Sequence, residues 1–242
     1  MRAWCVVRGT MSAQKSSSGG LTPGRSPGEN ANVGLDAPTL ALVRIATATA
    51  TGDEARLRER MIAARAADVP GAWVEELLLQ GFLNVGYPLT LVAFAVWREV
   101  AGPPKERDVG EPIAHPEWER WTERGVQACA EVYGRTYHKL LVNLRALHPA
   151  IEPLVVVDAY GKILSRPGLD TKRRELCTLA AIAMLNAPRQ LHAHLRGALN
   201  TGSTREEVDA VLAIVEGDLT KERALKLWEM WADVRERSLD GK

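Results

Sequence analysis

The stretch from Leu164 to Gly217 constrains this chain most, because its breaks and caps leave room for little but helices. Pro167-Gly168 interrupts the chain, and Asp170 or Thr171 can cap a helix running to about Leu185. Asn186-Ala187-Pro188 breaks that helix, and Pro188 suits the first turn of the next. The next helix carries His192 and His194 and stops at Asn200-Thr201-Gly202. Thr204-Arg205-Glu206-Glu207 reads as a capping box, with an acid three residues after the capping threonine. Val208, Val211, Leu212 and Val215 then fall on one face of a third helix.

Four groups of residues in this region resemble the carboxymuconolactone decarboxylase family, within the alkylhydroperoxidase-D-like superfamily. They are Arg166-Pro167-Gly168-Leu169-Asp170, Arg174-Glu175-Leu176, His192-Ala193-His194-Leu195-Arg196-Gly197-Ala198, and Gly202-x-Thr204-Arg205-Glu206-Glu207-Val208. The resemblance covers roughly Glu131 to Gly217. It implies an all-α, alkylhydroperoxidase-D-like helical bundle that assembles into homo-oligomers.

Composition excludes several function classes. With 31 Lys and Arg against 30 Asp and Glu, the chain has no nucleic-acid footprint and no basic membrane surface. No apolar run is long enough to span a bilayer. Trp4-Cys5-Val6-Val7 is too short for a signal-peptide core, so the expectation is a cytoplasmic protein. Cys5, Cys129 and Cys177 are odd in number and far apart, unlike a disulfide framework or a zinc site. Cys177, in an apolar helix, reads as a buried inert thiol.

Residues 1–35 are rich in Ser, Gly and Pro and are expected to be a disordered tail, with Met11 as an alternative start. Residues 36–101 read as four helices separated at Thr51-Gly52-Asp53, Asp68-Val69-Pro70-Gly71 and Asn84-Val85-Gly86-Tyr87-Pro88. The fourth, from about Leu89 to Ala101, is apolar on most sides and is expected to be buried. Residues 102–114 form a polar linker, and 115–242 form the decarboxylase-like domain. One helix is expected from Pro116 to about Leu147, ended by His148-Pro149. Ile151–Ile163 would be a short strand on the propensity of Val155-Val156-Val157, but the resemblance implies a helix there. Leu219–Leu239 reads as an amphipathic helix with exposed aromatics that could contact another subunit.

The order of helices and breaks repeats. Shifted by 134 positions, Leu42 meets Leu176, Leu57 meets Leu191, Ala64 meets Ala198, Val74 meets Val208 and Leu78 meets Leu212. The reading is two tandem copies of one helical unit. The alternative is that any four-helix segment gives such matches. The first copy has Ala41 opposite Glu175, and Arg58 and Arg60 opposite His192 and His194, so it reads as a degenerate structural partner.

In the peroxidase branch of the superfamily a Glu, a Cys-x-x-Cys and a His form the site. Carried onto this chain, the pattern places the Glu at Glu175 and the His at His194, and the thiol positions fall on Ala187 and Gln190. Without a nucleophilic and a resolving sulfur, peroxide reduction is disfavoured. Residual thiol chemistry through Cys177 or Cys129 is the remaining route to it. His192 and His194 lie about 200° apart around a helix, so one ion cannot take both, and no metal is expected.

His194 is the candidate acid–base group and Glu175 its partner. Arg166, Arg174 and Arg196 could form a fork for a substrate carboxylate. Tyr160 stands where the decarboxylases carry an aromatic before Gly, and with His192 could line the pocket. The plainer alternatives are an anchoring ion pair for Glu175, a hydrogen-bonded core histidine for His194 and helix-end capping for Arg166. The resemblance implies decarboxylation of a small carboxylated lactone or related acid from aromatic-compound breakdown, with no cofactor, since the substrate is its own electron sink. A non-catalytic scaffold or small-molecule binder of the same fold is the competing reading.

Overall fold

The computed structural model of the chain describes residues 34–103, 105 and 117–240. The rest of the tail and most of the linker expected from the sequence lie outside the described residues. Gly34 and Leu35, counted with the tail, pack onto the body, and Leu35 joins the core.

Four helices open the fold: α1 (Ala37–Thr51), α2 (Glu54–Ala66), α3 (Gly71–Asn84) and α4 (Gly86–Ala101). Next come α5 (Trp118–Tyr133), a 3-10 turn (Gly134–Thr136), α6 (Tyr137–Leu147) and a helical turn (Ile151–Pro153) that runs into a π-helix (Leu154–Leu164). Then follow α7 (Thr171–Met184), α8 (Pro188–Asn200), α9 (Arg205–Glu216) and α10 (Lys221–Asp240). The described residues contain no strand, so the chain is all-α.

Local chemistry explains the boundaries. Asp36, Asp53 and Asp170 each accept a hydrogen bond from the amide three residues on, which starts α1, α2 and α7. At α9, the Glu207 amide donates to Thr204 Oγ1 at 3.2 Å, and the Thr204 amide donates to the Glu207 carboxylate at 2.8 Å.

Helices α1 and α7 lie side by side at the centre; α2 and α3 pack around α1, and α8 and α9 around α7. One core runs through both: Leu42, Ile45 and Leu78 join Leu176, Leu179, Leu195 and Leu212, each no more than 2% exposed. A shift of 134 positions carries the starts of α1–α4 to within one residue of those of α7–α10. Tertiary contacts follow the same spacing. The Trp97 indole donates to Glu75 at 2.7 Å, and the Trp231 indole donates to Asp209 at 2.5 Å. Arg173 reaches its own counterpart position, with Nε donating to Thr39 Oγ1 at 2.9 Å, and it also pairs with both capping acids, Asp36 and Asp170.

Three expectations need correction. The single helix to Leu147 is broken, because Gly134 takes φ 49°, ψ −132° and turns the chain out of α5. Helix α4 buries only its Thr90, Ala93, Val96 and Trp97 face; Tyr87 and Leu91 stand exposed. On α10, Trp231 is buried rather than exposed, since Asp209 satisfies its N–H inside the bundle.

The Val155-Val156-Val157 segment is helical, but as a π-helix, closed where the Ser165 amide donates to the Tyr160 carbonyl at 2.8 Å. It crosses α5 backbone to backbone. A Cβ at Gly125 would sit 1.9 Å from the Val156 carbonyl oxygen, and one at Gly161 2.1 Å from that of Trp121. The crossing sets Cys129, Val132 and Tyr160 together in a second, smaller apolar cluster beside α8.

Candidate active site

Helices α7 and α8 bring Glu175 and His194 together. Glu175 is 1% exposed, and its Oε2 lies 2.8 Å from His194 Nδ1. The contact suits Nδ1–H donating to the carboxylate, which leaves Nε2 as the ring nitrogen not engaged by Glu175. The His194 side chain retains 13% exposure, so part of the imidazole reaches solvent. Gly197, one turn along α8, leaves the space that the carboxylate fills: a Cβ there would stand 2.6 Å from Oε2 and 2.8 Å from Val132 Cγ1.

Weak acids from α5 and the π-helix surround this carboxylate. Burial, and then the charge of Glu175, pushes the Cys129 thiol up to about 12. Burial likewise pushes Tyr133 up to about 12, helped by Cys129 and Glu175. Tyr160, fully enclosed, is driven well above its ordinary value by burial, then by Tyr133 and Glu175. The two tyrosine rings meet edge-on with their centroids 6.3 Å apart. All three groups stay protonated near neutral pH. Cys177, also pushed up to about 12 by burial, shares with Cys129 a near absence of thiolate, the opposite of what thiol–disulfide chemistry needs.

Other candidates are placed elsewhere. Arg166 and Arg174, expected to clamp a substrate carboxylate, instead hold Glu76 of α3. Arg166 Nε lies 3.0 Å from Glu76 Oε1, and Arg174 donates to Oε2 at 2.8 Å and to the Leu169 carbonyl at 3.0 Å. All three ionic side chains are buried. Desolvation alone would make such charges costly, so their mutual pairing is what permits them in the interior. The fork is thus a cross-link between α3 and the second half.

His192 and Arg196 face away from Glu175. With Tyr133, Arg135, Leu199, Asn200, Val234 and Arg237 they line an open cleft of about 580 Å³. Among the described residues, no group of three or more His, Cys, Asp or Glu is placed to hold a metal. Cys129 and Tyr133 enter the site unforeseen as neighbours of Glu175. Their four-residue spacing on α5 is a signal that the sequence carries.

Fold and site together define a class: an all-helical bundle in which a buried carboxylate orients a part-exposed imidazole on the neighbouring helix. Residues 155–233, which span both groups, match the carboxymuconolactone decarboxylase family. The chain is 30% identical over 91 residues to the 4-carboxymuconolactone decarboxylase of Acinetobacter baylyi, covering 37% of this chain and 68% of that protein. It is 36% identical over 95 residues to the nitrosuccinic acid decarboxylase npaB of Metarhizium robertsii, covering 38% and 66%. It is also 30% identical over 87 residues to peroxisomal protein 2 of Schizosaccharomyces pombe, covering 36% and 41%. The matched stretches thus take in about two thirds of the first two relatives and under half of the third. This chain belongs to the carboxymuconolactone decarboxylase family.

Proposed function

We infer that the protein is a cofactor-free decarboxylase acting on a small carboxylated lactone or a related acid. The observation that carries this reading is the 2.8 Å contact between buried Glu175 and His194 Nδ1. The carbon–carbon bond to the carboxylate breaks, carbon dioxide leaves, and the electron pair passes into the conjugated carbonyl system. A proton taken up from solvent at Nε2 of His194 is then delivered to carbon, which returns the ring to its neutral form, and Glu175 steadies the imidazolium before transfer. Arg166 and Arg174 are taken up by Glu76, and Arg196 lines a cleft away from Glu175, so the expected arginine fork does not support this reading.

The first half fits a degenerate tandem copy that packs as a neighbouring subunit would. The common 134-residue spacing and the paired Trp–acid contacts support this reading. With Ala41 and Arg60 at the positions of Glu175 and His194, only the second half keeps an acid–base pair.

Carbon dioxide release by purified protein from 4-carboxymuconolactone and from nitrosuccinic acid tests the proposal. Turnover of one of them is expected, and His194→Ala should lower it by about 10²- to 10⁴-fold. Release from neither would leave the fold as a scaffold or binder, and full turnover by His194→Ala would remove His194 from the reaction.

A further inference from the structure

The cleft over α8 is built differently from the Glu175–His194 chamber. Arg135, His192, Arg196 and Arg237 line it, and no acidic side chain does. Arg135 and Arg196 have no ion-pair or hydrogen-bond partner among the described residues. Arg237 is held by Asp233, one turn back on α10, at 2.8 Å. Gathering like charges around one space is unfavourable unless a counter-charge enters it.

The wall that carries Arg135 is fixed in place. Gly134 turns the chain out of α5, and Asn200 of α8 donates to the Val132 carbonyl at 2.7 Å, which ties that turn to the cleft. His192 and Arg196 stand one turn apart on the same face of α8. The volume of about 580 Å³ falls within the range of organic-ligand sites. Tyr133, Leu199 and Val234 add aromatic and apolar wall, which a bare inorganic ion would not use.

We propose that this cleft binds a multiply charged organic anion, one carrying several carboxylates or a phosphoanhydride group, through Arg135 and Arg196 with Arg237 and His192 in support. The site goes beyond the decarboxylation reading and is assayed by binding, so it stands or falls whether or not the protein releases carbon dioxide. Planar guanidinium groups match carboxylate and phosphate oxygens two at a time, which suits the anion class.

Calorimetric titration of the full chain, at low and at physiological ionic strength, tests it with three probes: citrate, pyrophosphate and acetate. Saturable binding of citrate or pyrophosphate is expected, weakening with salt, with acetate far weaker. The stronger of the two identifies the source of the charge. The double variant Arg135→Gln/Arg196→Gln should weaken the better probe by more than about tenfold. Arg145→Gln, on α6 outside the cleft, should leave it unchanged. The circular dichroism spectrum should be the same in all three proteins. Binding of neither probe, or equal binding by wild type and a folded double variant, would overturn the proposal.

Discussion

Gly197 is where a single atom decides the site. An added methyl would meet both Glu175 Oε2 and Val132, so Gly197→Ala must push the carboxylate away from His194 or open α8 from α5. A stability loss of about 1–3 kcal/mol is expected in urea unfolding, together with loss of any turnover that depends on the pair. Cys129 and Tyr133 set a second test. Their folded values near 12 exceed their ordinary 9.0 and 10.0, so the unfolded chain releases these protons first as pH rises. Their contribution to stability is complete below about pH 9 and declines as pH climbs towards 12. The urea midpoint should therefore fall between pH 8 and pH 10.5, and by less in Tyr133→Phe.

At the scale of the element, the crossing of α5 and the π-helix tolerates no side chain. Gly125→Ala would force a carbon to within 1.9 Å of the Val156 carbonyl oxygen, and helices cannot part there without moving Cys129 and Tyr160. We expect a loss of about 3 kcal/mol, read as a lower urea midpoint with unchanged slope. Helix starts were legible in the sequence because capping is local: Asp170 and Thr204 act on amides three residues away. The meeting of Glu175 with His194 was legible only through the family resemblance. The π-helix was hidden because three consecutive valines favour a strand by propensity, and packing against α5 overrides them. The break at Gly134 was missed because apolar spacing continues through it into α6. Trp231 looked exposed because its partner, Asp209, lies on a different helix.

For the molecule as a whole, Glu76 is the most consequential long-range contact. It pairs with two guanidinium groups from 90 and 98 positions downstream, and no periodicity could have announced that partnership. Glu76→Gln would leave two buried cations facing a neutral amide, at a cost of about 3–5 kcal/mol measured by chemical unfolding. Replacing Glu76, Arg166 and Arg174 together by apolar residues of similar size should recover most of that loss. The stretch that matches the family starts at residue 155, well after α3. A protein trimmed back to that stretch would keep its acid and imidazole but strand two cations in the interior and bare the flank of α7 to water. Shortening it to the family signature would therefore yield a sticky, poorly soluble fragment, and what looks like the dispensable half acts as the counter-ion and the raincoat of the other.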